Sequence, residues 1–180
     1  ATTTLGGDQA SAEFGYSVST AGDVDADGYC DVIVGARSYD NGEMNEGRAY
    51  VFLGGKLGLL MVANWTAESD QVDAFFGHSV SVAGDVNGDG YSDVIVGAPD
   101  YDNGESDEGR AYVYLGSAAG VNTAAAWTAE SDQADASYAQ SVSDAGDVND
   151  DGYGDVIVGA PDYDNGNNNE GLAEIFYGSS

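Results

Sequence analysis

Asp23-Val24-Asp25-Ala26-Asp27-Gly28-Tyr29-Cys30-Asp31 decides the reading, because the same nine-residue pattern returns at Asp85 to Asp93 and at Asp147 to Asp155. The second copy places Asp85, Asn87, Asp89 and Asp93 at its positions 1, 3, 5 and 9, and the third places Asp147, Asn149, Asp151 and Asp155 there. Gly28, Gly90 and Gly152 hold position 6. A tight loop of alternating Asp and Asn offers hard oxygen ligands, which suit Ca²⁺ with its six to eight oxygens and tolerance of irregular geometry. Glycine at position 6 supplies the positive φ that turns the loop back around an ion. The backbone carbonyl at position 7, on Tyr29, Tyr91 and Tyr153, is the expected further ligand. The sequence therefore predicts three Ca²⁺ sites per chain. An acidic Asp-Gly turn without metal is the competing reading. It suits one such loop less strainedly than three loops with oxygen at every expected position.

An EF-hand starts alike but needs a bidentate Glu at position 12, where this chain has Val34, Val96 and Val158. Its loop also joins two helices. Here each loop runs into Asp-Val-Ile-Val-Gly-Ala, a short β-branched run without helical period, so the loop belongs to a β-hairpin.

Composition narrows the partners. Thirty-two acidic residues against 4 Lys and Arg give a formal charge of −28 over 180 residues. Such a surface repels phosphate backbones and anionic headgroups, so neither nucleic acid nor membrane insertion is expected. Three doubly charged ions would take −28 to −22, and without them the clustered carboxylates repel, which couples metal to folding. A hydrophobic content of 42% with 11% aromatics argues for a packed core and against acidic disorder. Cys30 is the sole cysteine, so no intrachain disulfide forms; Ser92 and Gly154 stand at its register, which favours a tolerated small residue over a reactive thiol. The apolar run Leu57 to Ala63 is too short to span a bilayer.

Phe14, Phe76 and Tyr138 are spaced by 62 residues, as are Asp23, Asp85 and Asp147, and Trp65 and Trp127 keep the interval. One unit holds four strand candidates: Ser79 to Ala83, Asp93 to Ala98, Arg110 to Leu115, and a weaker outer strand over Thr123 to Thr128 or Leu59 to Thr66, ending at the Trp. The chain reads as all-β, built of repeated four-stranded antiparallel sheets, the signature of β-propeller blades. Phe76-Gly77-His78-Ser79-Val80, then the Asp loop, then Gly97-Ala98-Pro99, resembles the FG-GAP repeat of integrin α-subunit propellers and their bacterial relatives. Copy 1 keeps Phe14-Gly15 but has Gly35-Ala36-Arg37, and copy 3 keeps Gly159-Ala160-Pro161 but has Tyr138-Ala139. These departures touch packing and turn residues and leave the acidic loops whole. The resemblance implies that the acidic loop joins the first two strands of a blade and binds Ca²⁺. The units fall at about 14–75, 76–137 and 138–180, with 1–13 supplying an outer-strand remnant at Thr2-Thr3-Thr4.

Three blades do not readily make a ring, since propellers use four to eight. The expectation is a homodimer, closing six blades with swapped outer strands; a piece of a longer propeller is the other reading. Tyr39-Asp40-Asn41-Gly42, Tyr101-Asp102-Asn103-Gly104, Tyr163-Asp164-Asn165-Gly166 and the connectors Glu68 to Gln71 and Glu130 to Gln133 should emerge opposite the acidic loops. By resemblance that is the ligand face for a protein or glycan; the simpler reading of these loops is solvated acidic turns. An enzyme is not expected. His78 beside Ser79 is replaced by Tyr16 and Gln140 in the other copies, and Arg48 and Arg110, each after Glu-Gly, are expected to pair with carboxylates. Two functions follow: an extracellular or cell-surface Ca²⁺-dependent adhesion or ligand-binding module, or a structural Ca²⁺-held scaffold without activity of its own.

Overall fold

The computed structural model describes residues 2–180. Among them there is no helix, and eleven strands form three antiparallel sheets. The first is β1 (Ser17–Gly22), β2 (Asp31–Ala36), β3 (Arg48–Phe52) and β4 (Trp65–Glu68), in sequence order. The second repeats it with β5 (Ser79–Gly84), β6 (Asp93–Ala98), β7 (Arg110–Tyr114) and β8 (Trp127–Glu130). The third has β9 (Ser141–Gly146), β10 (Asp155–Ala160) and β11 (Leu172–Phe176), in order β11-β10-β9.

The outer strand differs from the sequence expectation. It begins at Trp65 and Trp127 and runs through Trp-Thr-Ala-Glu; the segments ending at Trp, Leu59 to Thr66 and Thr123 to Thr128, are otherwise outside it. Its register is set by cross-strand pairs. Glu68 stands opposite Arg48 and Glu130 opposite Arg110, while Trp65 faces Val51 and Trp127 faces Val113. The Trp65 indole also donates to the Asn122 carbonyl of the next sheet at 2.9 Å. Thr2-Thr3-Thr4 lies in no strand, while nearby Leu5 packs on the cluster of Val34, Tyr39, Tyr50 and Phe52.

The inner strands β1, β5 and β9 lie side by side. Ser17 Oγ accepts the Val80 N–H, and Ser79 Oγ accepts the Val142 N–H, both at 3.1 Å. The core lies between sheets. Ile33, Val51 and Trp65 meet Phe76, Val80 and Tyr112, and Ile95 and Val113 meet Tyr138, Val142 and Val158. β2 and β6 are covered on both faces, which is why their Val-Ile-Val runs do not alternate with polar residues. Close approach rests on Gly35 and Gly97, where a Cβ would overlap the carbonyl oxygens of Gly77 and Ala139 on the following sheet. Register shifts between Thr20 and Gly22 and between Val82 and Gly84 mark bulges that steer each inner strand into its acidic loop.

Candidate metal centres

Each acidic loop joins the inner strand of a sheet to its second strand, closed by the pairs Gly22–Asp31, Gly84–Asp93 and Gly146–Asp155. Position 6 has φ of 91° in all three copies, as the sequence requires. The position-1 carboxylate organises the turn. Asp23 Oδ1 accepts the Asp27 N–H at 3.0 Å and its Oδ2 accepts the Gly28 N–H at 2.9 Å. Asp85 takes the N–H groups of Asp89 and Gly90, and Asp147 those of Asp151 and Gly152, at 2.8 to 3.0 Å. Position 3 accepts the same position-5 amide through Asp25, Asn87 and Asn149. Position 5 (Asp27, Asp89, Asp151) accepts the N–H of Tyr29, Tyr91 or Tyr153.

Carboxylate oxygens of Asp23, Asp25 and Asp27 thereby converge within 4.8 Å of one another. Burial, then repulsion from Asp27 and Asp23, raises the Asp25 pKa. The donor set is all oxygen, and none of these residues joins the three ion pairs found among the described residues. Such a set fits a hard divalent cation and not a thiophilic one.

Position 9 is placed differently. Asp31, Asp93 and Asp155 are buried, and each clamps two backbone amides. Asp31 accepts from Val24 and Gly54, Asp93 from Val86 and Gly116, and Asp155 from Val148 and Gly178, at 2.7 to 2.9 Å. They tie the acidic loop to the turn after the third strand. Burial pushes the Asp93 carboxyl up to about 6, against the pull of the two amides. Adjacent hairpins also interlock: Ser92 Oγ accepts the Asp23 N–H, and the Gly154 N–H donates to the Asp85 carbonyl.

The loops after β2, β6 and β10 and the connectors between sheets occupy the opposite end. Arg48 and Arg110 pair with Glu68 and Glu130, as expected, and stack on Tyr39 and Tyr101 at 3.8 and 4.2 Å from the ring centroids. A feature absent from the sequence reading is a repeated glutamine clasp. Gln9, Gln71 and Gln133 each exchange two hydrogen bonds with the backbone of Asp40, Asp102 and Asp164. Its signal was the recurrence of Asp-Gln at the 62-residue interval. An acidic cleft of about 550 Å³ opens between the second and third sheets, lined by Asp100, Asp107, Asp135, Asp162 and Asp164. His78 and Ser79 are occupied apart from each other. The His78 ring bridges Tyr16 Oη and the Gln140 carbonyl, and Ser79 Oγ holds the Val142 amide.

Repeated antiparallel sheets, each opening on an acidic hairpin between its first two strands, define a class of propeller-type repeat protein. The chain belongs to the FG-GAP repeat family, whose model matches residues 14–52, 76–114 and 140–173. It is 34% identical to integrin alpha-V of Gallus gallus over 163 residues, covering 86% of this chain and 15% of that protein. It is 36% identical to integrin alpha-PS2 of Drosophila melanogaster over 180 residues, covering 92% and 12%. It is also 33% identical to phosphatidylinositol-glycan-specific phospholipase D of Bos taurus over 170 residues, covering 89% and 20%. The chain thus spans a fifth or less of each of these relatives.

Proposed function

We propose that the chain is a Ca²⁺-stabilised β-propeller module that binds a protein or glycan ligand outside the cell or at its surface, and that it is not an enzyme. The carrying observation is the convergence of Asp23, Asp25 and Asp27 within 4.8 Å, with the same turn geometry in the other two hairpins. In each hairpin the carboxylates or amides at positions 1, 3 and 5 would hold the ion, joined by the position-7 carbonyl of Tyr29, Tyr91 or Tyr153 and by Asp31, Asp93 or Asp155. A bound ion offsets the repulsion among these groups and fixes the rim of each sheet. The phospholipase's activity belongs to a protein of which the matching stretch is a fifth. The repeat units would run at about 14–75, 76–137 and 138–180, with 1–13, whose residues 2–13 form no strand within the single chain, supplying an outer-strand remnant on closure.

Two exposed end faces support ring closure by a second copy. Val18 is 66% exposed where its counterpart Val80, covered by the first sheet, is 5%. At the other end Ile175 is 44% exposed where Val51 and Val113 are buried. These exposed apolar residues fit a head-to-tail arrangement in which two chains would make six blades. Ligand binding fits the acidic cleft, which selects a cationic or metal-bridged partner. A scaffold without a ligand is favoured by one observation: on that face Arg48 is already bonded to the Tyr39 hydroxyl, and Gln71 to the Asp102 backbone.

Thermal melting in Ca²⁺ and in EDTA tests the metal reading. The wild type should melt well above the EDTA value at saturating Ca²⁺, because an ion bound only by the folded state adds about 2.7 kcal/mol at a hundredfold excess over Kd. Asp89→Ala should lose part of that difference. Identical melts in both buffers would end the proposal.

A further inference from the structure

Glu46 sits two residues before β3, 1% exposed, and neither of its carboxylate oxygens has a hydrogen-bond partner. Leaving a buried charge unpartnered is costly, so a group in this position calls for an occupant. Its carboxylate lies within 4.8 Å of those of Glu68, the last residue of β4, and Asp70, on the connector to β5. The same trio recurs one unit on as Glu108, Glu130 and Asp132. Glu108 is also 1% exposed, though one of its oxygens accepts the Asn103 amide.

The backbone holds Glu46 in place. Its carbonyl accepts the Phe76 N–H at 3.0 Å and the Ser69 hydroxyl at 2.7 Å, and the Glu108 carbonyl takes Tyr138 N–H and Ser131 in the same way. The local cation is already committed, since Arg48 pairs with Glu68, whose other oxygen accepts the Asn41 side-chain amide at 2.8 Å. One guanidinium against three carboxylates leaves a charge of about −2, which one divalent ion matches. Burial and then the Glu68 carboxylate raise the Glu46 pKa; the Asn41 amide opposes this without closing a hydrogen bond.

We propose that Glu46, Glu68 and Asp70, and again Glu108, Glu130 and Asp132, form a second class of Ca²⁺ site. Each lies at the junction of two sheets, at the end opposite the acidic hairpins. Three carboxylates are a hard donor set, and exposed Asp70 and Asp132 give the ion its entry and leave room for water to complete its shell. The ion would bind the loop after the second strand to the connector that starts the next sheet. The third copy lacks the site, because Glu170 is exposed and Leu172 stands where Arg48 and Arg110 do.

Native mass spectrometry of the full chain in Ca²⁺ counts the ions. The wild type should carry two more Ca²⁺ per chain than the three hairpins account for, and Glu46→Gln with Glu108→Gln should remove those two. Glu46→Gln alone should remove one, which keeps the count readable if the double variant folds poorly. A triple hairpin variant, Asp27→Ala, Asp89→Ala and Asp151→Ala, should retain the junction pair, so loss of the hairpin reading and loss of this one give different counts. Melting adds a sign test. In EDTA the Gln variants should melt above wild type, since repulsion is relieved, yet gain less from Ca²⁺. An unchanged ion count with an equal gain from Ca²⁺ would overturn the proposal and leave Glu46 as a buried protonated acid.

Discussion

Asp100 follows Pro99 just beyond β6, and burial first, then the Asp107, Asp73 and Asp102 carboxylates, push its pKa up to about 6, with Arg37 opposing. A carboxyl that holds its proton more tightly when folded stabilises the fold when protonated and loses that contribution as pH rises from about 4 through 6. The full shift corresponds to about 3 kcal/mol at ~1.4 per unit, and partial solvent contact reduces it to about 1 kcal/mol. Asp100→Asn should therefore raise the melting temperature by about 2–4 °C near pH 7.5 and leave it unchanged at pH 4. Calorimetry at the two pH values checks this; a gain at pH 4 as large as at pH 7.5 would remove the electrostatic account. Residues of this kind show where the sequence ran short. Alternating carboxylates at positions 1, 3 and 5 announce their own convergence, because a tight turn leaves them nowhere else to point. The aim of Asp31 at two amides, and of Glu46 into a junction, depends on segments about 23 residues away along the chain, Gly54 and Ser69. Spacing within one loop carries no trace of that.

At the scale of a strand, β6 is held against the third sheet by Gly97. Its φ lies outside the left-handed region, so Gly97→Ala tests contact and not backbone strain. The new methyl would meet the Ala139 carbonyl, a backbone atom that cannot rotate away. The expected loss is about 1–3 kcal/mol, read from the urea midpoint, as for overpacking in a filled core. An unchanged midpoint would mean that the sheets are not in close contact there. The second and third strands of the middle sheet were legible because Val-Ile-Val and Ala-Tyr-Val are β-formers buried by neighbours on both sides. The outer strand is hard to place from sequence because Trp-Thr-Ala-Glu is short and pairs on one side only, so propensity hardly marks it. What places it is a pair of side chains, Arg48 with Glu68, and the packing of Trp65 on Tyr114 at 4.9 Å between ring centroids.

Across the whole molecule the same glycine position separates packing within one chain from packing between two. Gly159 is the third-sheet counterpart of Gly35 and Gly97, but a methyl there would meet only the Ser141 side chain and backbone of its own sheet, and the hydroxyl can turn aside. Gly159→Ala should thus cost the isolated chain little. In a six-bladed dimer, however, this glycine would face the first sheet of the partner as Gly35 faces Gly77, and the methyl would block closure. Charge works on the same equilibrium: two chains of −28 repel, so Ca²⁺ and salt should favour association and chelation at low salt should oppose it. Light scattering in Ca²⁺ buffer should give the wild type twice the chain mass of 18.4 kDa and Gly159→Ala the single value, with both melting alike when dilute. A wild type that stays at 18.4 kDa, or a Gly159→Ala variant that dimerises as well as wild type, would exclude closure through these two faces.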